Sequence, residues 1–160
     1  MSRASSEAGA PRLSVETPVG VLTLTEEGGA IIRVEWQAGG GDETPLLRQA
    51  RQQVTEYFAG ARHAFDLPLR VEGSAFQRAV CAAMLEIPHG ETRTYGEIAR
   101  DLGQSAQAVG RACGHNPIPV LIPCHRVMGA GGKLTGYSGQ GGVETKVALL
   151  RHEGAGGFLI

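Results

Sequence analysis

Residues 123–127 place the thiol of Cys124 directly beside an imidazole, His125, and a guanidinium, Arg126. A free cysteine has a pKa of roughly 8.5, so only a small fraction of it is thiolate at neutral pH. The thiolate is the nucleophile, and a neighbouring base or cation increases its fraction. Cys124 is therefore a candidate nucleophile. The alternative is a small buried thiol that only packs, and the adjacency of these residues alone leaves both interpretations open.

An apolar lead-in, residues 116–123, precedes Cys124 and contains three prolines. Each proline fixes its backbone φ at about −65° and removes one N–H donor. The pattern predicts a stiff, buried segment that presents Cys124 at its end.

Composition excludes several classes of protein. The chain has 160 residues, a net charge of −1 and three cysteines without a C-x-x-C pair. An odd number of widely spaced cysteines argues against a disulfide framework and a structural zinc site. No apolar run is long enough to cross a membrane, and residues 1–12 lack the apolar core of a signal peptide. We therefore expect a disordered tail over 1–12, no metal, and a cytoplasmic protein.

Charge is distributed unevenly along the chain. Residues 1–72 carry 7 Lys and Arg against 10 Asp and Glu, whereas residues 73–160 carry 8 against 6. Four of the five histidines also lie in the second half. This asymmetry favours the C-terminal half as the partner of a polyanion.

The N-terminal half has the pattern of a β-meander followed by a helix. Apolar and polar residues alternate in three short runs separated by turn residues, at 13–16, 19–25 and 30–36. The helix has Thr44 as its N-cap and Pro45 at its first position. Because this half contains no nucleophile, metal cluster or phosphate loop, we interpret residues 13–70 as an α+β scaffold domain.

Two short helices joined by a tight turn are predicted in the C-terminal half. Thr94 and Glu97 form a capping box that opens a helix ending at Leu102, and Ser105 can cap a second helix over 106–115. The glycine in the turn between them suits a helix-turn-helix. An ordinary helical hairpin has the same spacing, so the pattern alone leaves both structures open.

The second of these helices has a row of small residues. Ala106, Gly110 and Gly114 are four residues apart, so they lie on one face. Such a row lets the backbone approach either another helix or a nucleic-acid groove. Gln107 and Arg111 project from the adjacent row, where Arg111 can contact a phosphate or remain solvated.

Two further helices flank this pair. One begins near Ser74, with Gln77 completing a capping-box pattern. The other, the last in the chain, has Val147 and Leu150 on its predicted core face and Glu153 at its end. A carboxylate there opposes the helix dipole and is tolerated more easily when it has a partner such as a histidine.

The remaining two cysteines are interpreted as structural. Cys81 lies on one face of the helix that begins near Ser74, and Cys113 lies within the second helix of the predicted pair.

Residues 116–127 resemble the active-site signature of the O6-alkylguanine-DNA alkyltransferases, also called methylated-DNA–protein-cysteine methyltransferases. Further motifs of the family follow in the family's order, at 76–80, 87–99, 108–110, 136–139 and 149–154. The resemblance is strong from about Ser74 to Gly154 and loose in the N-terminal half. It implies an α+β fold in which a C-terminal helical domain, 71–160, carries a helix-turn-helix (winged-helix-like) and the active-site cysteine.

The resemblance also implies a reaction. The damaged guanine would be flipped out of the duplex into a pocket beside the cysteine. The thiolate of Cys124 would attack the alkyl carbon, while His125, oriented by Glu153, would take the thiol proton through a water. Tyr95 and Ser138 match the positions that stabilise the departing guanine oxygen. Because the thioether is stable, each molecule would act once.

Other matched positions have supporting roles. Asn116 matches the turn residue that holds the active-site segment against the recognition helix, and Arg126 matches a structural position with an ion pair in the core. Tyr137 and Val127 match the lesion pocket. The second helix of the pair would enter the minor groove with the residues Ala106, Gln107, Gly110 and Arg111.

One position departs from the family pattern. The residue before Ala108 is normally an arginine that fills the space left by the flipped base, and here it is Gln107. Glutamine is shorter and uncharged, so we expect weaker DNA binding and less efficient flipping. Arg111, one turn further on, is the candidate for partial compensation.

We therefore predict a single-turnover methyltransferase that acts on O6-alkylguanine in double-stranded DNA, with O4-alkylthymine as a second candidate lesion. The prediction includes no cofactor, no membrane contact and a monomer. A helix-turn-helix module that binds lesions without chemistry is one alternative, but it would not need Cys124, Tyr95 or Glu153. A thiol hydrolase or redox enzyme built on Cys124 and His125 is another, and it would give no role to the recognition helix.

Overall fold

The computed structural model describes residues 9–134 and 142–155. The chain divides into two compact units, one up to Arg70 and one from Val71 onward. The first unit contains β1 (Arg12–Thr17), β2 (Gly20–Glu27), β3 (Ala30–Glu35) and α1 (Pro45–Phe58). The second unit contains α2 (Ala75–Leu85), β4 (Arg93–Thr94), α3 (Tyr95–Leu102), α4 (Ala106–Gly114), β5 (Val127–Met128) and α5 (Val143–Glu153). No helix in the described ranges is sufficiently long and apolar to span a bilayer.

The strands of the first unit form the predicted antiparallel sheet, in the order β1-β2-β3. Leu13 pairs with Leu24 and Val15 pairs with Leu22, so these side chains share one face, and all four are buried. The alternation in the sequence therefore puts apolar side chains on one side of the sheet. Helix α1 packs on β1 and β2, with Thr44 as its N-cap.

Helix α2 begins as predicted, with the Ser74 hydroxyl accepting a hydrogen bond from the Gln77 N–H. The prediction of a complete capping box, in which the Gln77 side chain also bonds the Ser74 backbone, is wrong. Gln77 Nε2 donates to the Ala112 carbonyl at 2.8 Å instead of returning to the Ser74 backbone. Ala112 lies in the last turn of α4, where helical carbonyls lack intrahelical partners. The Gln77 side chain therefore ties α2 to α4.

Helices α3 and α4 form the predicted helix-turn-helix. The Thr94 hydroxyl accepts from the Glu97 N–H, and the Glu97 carboxylate accepts from the Thr94 N–H, which completes a capping box. Gly103 ends α3 at φ 66°, in the left-handed region that glycine adopts without a Cβ clash. The Ser105 hydroxyl then caps α4.

Two short strands that the sequence did not indicate connect this helix pair to the cysteine segment. β4 and β5 are parallel, with Arg93 opposite Val127 and Thr94 opposite Met128. Thr94 is also the N-cap of α3, so the pairing brings the next residue, Tyr95, beside the strand that follows the cysteine.

Helix α5 buries a wider stripe than the one predicted. Leu150 is buried as expected, but Val147 is only half-buried. Leu149 and the charged residues Lys146 and Glu153 share the buried face. These positions follow the spacing i, i+3, i+4, i+7 of a single helix face. The prediction of Val147 as a fully buried core residue is therefore wrong, because Lys146 and Leu149 occupy the adjacent buried positions of the helix.

Candidate active site

Cys124 lies at the end of the proline-containing segment and begins a short 3₁₀ helix, Cys124–Arg126. The lead-in is buried from Ile118 onward, and Cys124 itself is only 4% exposed. The thiol is thus held in a site that is largely closed to bulk water, where electrostatic interactions are stronger than at the surface.

Asn116 fixes the shape of this lead-in. Its Nδ2 donates to the Ile122 carbonyl at 2.9 Å, and its Oδ1 accepts from the Ile118 N–H at 3.0 Å. Val120, within the enclosed turn, has φ 74°, which a β-branched residue adopts only when its surroundings impose it. The amide of Asn116 supplies part of that constraint.

Replacing Asn116 by alanine should destabilise the protein, because the buried Ile118 N–H would lose its acceptor, whereas the Ile122 carbonyl keeps a hydrogen bond from the Cys124 N–H at 2.8 Å. A buried donor left unpaired costs about 1–3 kcal/mol. We also expect slower methyl transfer, since the turn that leads to Cys124 would relax. Urea denaturation and a single-turnover assay measure the two effects. Gln104→Ala, at an exposed amide in the same unit, is the control, and equal stability of the two variants would contradict the prediction.

His125 is fully buried, and its Nε2 lies 2.8 Å from Oε2 of Glu153. An ionised carboxylate only accepts hydrogen bonds, so Nε2 carries the proton of the neutral ring and Nδ1 keeps a lone pair. Nδ1 is buried and has no hydrogen-bond partner within residues 9–134 and 142–155. A buried imidazole with an available lone pair, adjacent in the chain to a thiol, has the form that a general base requires.

Glu153 binds Arg126 as well as His125. Arg126 Nε donates to Oε1 and Nη2 donates to Oε2, both at 2.8 Å. The side chains of Arg126 and Glu153 are 8% and 0% exposed. One carboxylate therefore both neutralises a buried guanidinium and orients the imidazole, whereas the family resemblance implied separate roles for these two basic residues.

Protonation of His125 should make stability depend on pH. Burial lowers the pKa of His125 below its usual 6.5, and the nearby Glu153 only partly opposes this. In the unfolded chain the imidazole protonates near pH 6.5, so the unfolded state binds more protons below that pH. Stability is therefore fully present above this pH and falls as the pH drops toward the folded pKa, by up to about 1.4 kcal/mol per pH unit.

Urea denaturation between about pH 7.5 and pH 5 measures this slope. His125→Asn should reduce it, and His115→Asn, at an exposed histidine of the same unit, controls for the loss of an imidazole. Equal slopes in the wild type and in His125→Asn would contradict the prediction.

The other two cysteines are buried thiols. Burial raises the pKa of Cys81, and it raises the pKa of Cys113 to about 12. Both side chains therefore remain protonated at neutral pH and are weak nucleophiles. Within the described ranges, no group of three or more His, Cys, Asp or Glu side chains could hold a metal ion.

Lys146 is a residue of the site that the sequence analysis missed. Its side chain is fully buried, and its Nζ donates to the Val127 carbonyl at 2.6 Å. Nζ also lies 5.7 Å from the centre of the Tyr95 ring. The signal that could have found it is the helical spacing to Glu153, because the two residues are seven positions apart and share one face of α5.

Two residues predicted for the lesion pocket, Tyr137 and Ser138, lie outside the described residues. Val127, the third residue predicted for this pocket, is fully buried in β5, and its carbonyl accepts a hydrogen bond from Lys146 Nζ.

Helix α4 exposes Ala106, Gln107 and Arg111. Gly110 is half-buried, and a Cβ at this position would lie 4.0 Å from the Tyr95 ring. This is an ordinary van der Waals distance, so packing against Tyr95 does not by itself require glycine at position 110.

Arg111 lies toward the flank of α4. It lines a cavity of about 450 Å³ beside α2, together with Gln104 and His115. The guanidinium is exposed there and lies one turn beyond Gln107.

Two family models match the chain. The DNA binding domain of 6-O-methylguanine DNA methyltransferase matches residues 75–155, and the ribonuclease-like domain of the same family matches residues 13–71. A methylated-DNA–protein-cysteine methyltransferase of Methanosarcina acetivorans is 42% identical over 151 residues, which cover 88% of this chain and 96% of that protein.

Solved structures agree with the sequence matches. The crystal structure of Mycobacterium tuberculosis O6-methylguanine methyltransferase has a TM-score of 0.81 at 41% identity and covers 91% of this chain and 93% of its own. A second M. tuberculosis structure, in complex with DNA, has a TM-score of 0.80 at 43% identity and covers 88% and 91%. The chain therefore belongs to the 6-O-methylguanine DNA methyltransferase family, the methylated-DNA–protein-cysteine methyltransferases.

Proposed function

We propose that this protein reverses O6-alkylguanine damage in double-stranded DNA by moving the alkyl group to Cys124. Membership of the family makes the chain a DNA-repair methyltransferase that transfers an alkyl group to a cysteine. The observation that supports this cysteine as the acceptor is the buried network beside it. There Glu153 holds His125 by Nε2 at 2.8 Å and leaves Nδ1 available as a base.

In the proposed reaction His125 Nδ1 takes the Cys124 proton through a water, and the electron pair stays on Sγ. Sγ then attacks the alkyl carbon, and the sulfur–carbon bond forms as the bond from that carbon to O6 breaks. The electron pair of the broken bond remains on the guanine, which takes up one proton from the Tyr95 hydroxyl; the family resemblance implies Ser138 as a second donor to the guanine oxygen. Solvent exchange returns a proton from the imidazolium to Tyr95. The alkyl group passes directly from O6 to Sγ, so the proposed reaction uses no cofactor. Because the thioether is stable, each protein molecule reacts once.

Docking of α4 in the minor groove of the duplex completes the proposal. The minor groove is only about 6 Å wide, so a helix can approach its floor only with small side chains. Ala106 and Gly114 are exposed on α4 and meet that requirement. The lesion would be flipped into a pocket bounded by Val127 and Tyr137, and a damaged base is extruded at a lower free-energy cost than a normally paired one.

Intact mass spectrometry tests the proposal. The protein is incubated with a duplex oligonucleotide that carries O6-methylguanine, and peptide mapping follows. We expect a gain of one methyl group per protein, located on Cys124, with no turnover. Tight binding of the duplex without a change in mass would instead favour a lesion-binding module. Demethylation of excess substrate by unmodified protein would favour a turnover enzyme.

The arginine that the family normally carries at the position of Gln107 gives a further prediction. Gln107→Arg should raise the repair rate of duplex substrate, because a longer, charged side chain fills the vacated stack better and attracts phosphates.

Arg111→Ala should lower duplex affinity and reduce the slope of log affinity against log salt by about 0.9 if Arg111 neutralises one phosphate. Repair of a single-stranded oligonucleotide, which needs no extrusion, is the control. If Arg111→Ala repairs duplex DNA at the wild-type rate, Arg111 does not compensate for Gln107.

We also propose that the protein acts as a monomer in the cytoplasm. The proposed chemistry draws on residues of one unit of one chain, and Cys81, Cys113 and Cys124 are free thiols, as a reducing compartment would keep them. Light scattering of the free protein and of its DNA complex tests the stoichiometry.

A further inference from the structure

Lys146 is a buried charge that the reaction described above does not use. It is one of only two lysines among the 15 basic residues of the chain. Lysine is almost never fully buried unless it is paired. Within the described ranges its Nζ forms no ion pair with a carboxylate, and its hydrogen-bond acceptor is the carbonyl of Val127. A buried lysine without a carboxylate partner calls for another negative group near it.

The groups that face this ammonium come from three elements. α5 packs on the 3₁₀ helix that contains Cys124 and His125, and Lys146 lies two turns before Glu153 on the same face of α5. The Tyr95 ring, at the start of α3, is 5.7 Å away. Cys113, from α4, is also within electrostatic range. The ammonium is thus buried beside the Tyr95 ring, on a helix that packs on the segment containing Cys124 and His125.

Electrostatic coupling links Lys146 to the nucleophile. Burial lowers the pKa of Lys146, and negative charge on Cys124 or Cys113 opposes this effect. Coupling free energies are reciprocal, so a thiolate that favours the ammonium is itself favoured by it. Cys113 has a pKa of about 12, which leaves Cys124 as the thiol whose ionisation the lysine can assist near neutral pH.

The same charge affects the base. Burial lowers the pKa of His125, and the positive charges of Arg126 and Lys146 add to that effect. His125 is therefore kept in the neutral form, which is the form that can accept the thiol proton.

We propose that Lys146 is an electrostatic positioning residue for alkyl transfer, whose buried ammonium holds the Val127 carbonyl and stabilises the Cys124 thiolate as it forms. The S–H bond breaks, the proton passes to His125, and the electron pair stays on Sγ with the ammonium as its counter-charge. The inference rests on the proposed function only in assigning this thiolate to alkyl transfer.

Stability distinguishes this role from a structural one. Replacing a buried charge by an apolar side chain of similar volume is often neutral or stabilising. Lys146→Met should therefore unfold at the same temperature as the wild type or higher, while its Cys124 becomes less reactive. If Lys146 served only stability, Lys146→Met would unfold at a lower temperature while its Cys124 kept the wild-type reactivity.

The experiment measures the rate of Cys124 alkylation by iodoacetamide as a function of pH, with peptide mapping to separate Cys124 from Cys81 and Cys113. Lys146→Met removes both the charge and the hydrogen bond, whereas Lys146→Gln keeps a donor for the Val127 carbonyl. Lys133→Met, at an exposed lysine, is the matched control. In both Lys146 variants we expect the pH midpoint of the Cys124 alkylation rate to rise by about one unit. Alkylation of Cys124 near neutral pH then slows about tenfold.

An unchanged midpoint in both folded Lys146 variants would overturn the inference. So would a wild-type midpoint in Lys146→Gln alone, because it would reduce the role of the lysine to its hydrogen bond. If Lys146→Met does not fold, Lys146→Gln decides the matter. Methyl transfer from the lesion duplex to the wild type is measured separately. Its failure would overturn the proposed function and leave the thiol titration as an independent result.

Discussion

Glu153→Gln is expected to lower the free energy of unfolding by about 3–5 kcal/mol, the cost of breaking a buried ion pair by removing one partner. The carboxylate accepts two hydrogen bonds from Arg126 and one from His125, all at 2.8 Å. Glutamine keeps the shape of the side chain but removes the charge and replaces one acceptor oxygen by a donor. The Arg126 guanidinium would then remain buried without a counter-charge.

The same substitution should also slow methyl transfer strongly. In the amide, the one remaining acceptor oxygen has to serve both Arg126 and His125, so the proton of His125 is held less firmly on Nε2 and its lone pair is directed less firmly to Nδ1. Urea denaturation and a single-turnover assay measure the two effects. Glu91→Gln, at an exposed carboxylate of the same unit, should change stability by no more than about 0.5 kcal/mol.

A double substitution separates the two consequences of losing Glu153. In Arg126→Met combined with Glu153→Gln, no buried guanidinium is left unpaired, so much of the stability should return. Methyl transfer should stay slow, because His125 still lacks its orienting carboxylate. Recovery of the transfer rate in the double variant would show that Glu153 acts through stability alone.

Cys124→Ala is expected to abolish methyl transfer while the protein keeps its affinity for duplex DNA. The substitution removes one buried sulfur atom, and the residues proposed to contact DNA lie on α4. Cys81 and Cys113 should not take over the reaction, because burial raises the pKa of both thiols and keeps them protonated.

Intact mass spectrometry and fluorescence anisotropy with a labelled lesion duplex measure transfer and affinity. Cys81→Ala, at a buried thiol on α2, is the matched control and should still accept a methyl group. Methylation of the Cys124→Ala protein at another cysteine would contradict the assignment of the nucleophile. Loss of both activities would point to a change in fold, which circular dichroism would detect.

Elements with a local cause could be predicted from the amino-acid sequence alone. Thr94, Glu97, Gly103 and Ser105 predicted the boundaries of α3 and α4, because helix caps depend on residues three or four positions apart. The alternation of apolar residues predicted the three-stranded sheet, since strand faces depend on a period of two. The motif around Cys124 was contiguous, so its resemblance to the family was visible without any tertiary structure.

Features that depend on contacts between distant parts of the chain could be seen only in the folded structure. Gln77 bonds Ala112 instead of its own helix start, and β4 pairs with β5 across more than thirty intervening residues. Arg126 and His125 share the carboxylate of Glu153, although each could be assigned a role without the other. A charged side chain in a helix is normally assigned to solvent, and only the packing of α5 shows that Lys146 is buried with the nucleophile. Cys124 was therefore identifiable from contiguous sequence as the candidate nucleophile, whereas its electrostatic environment was not, because charges act through space and their distances are set by the fold.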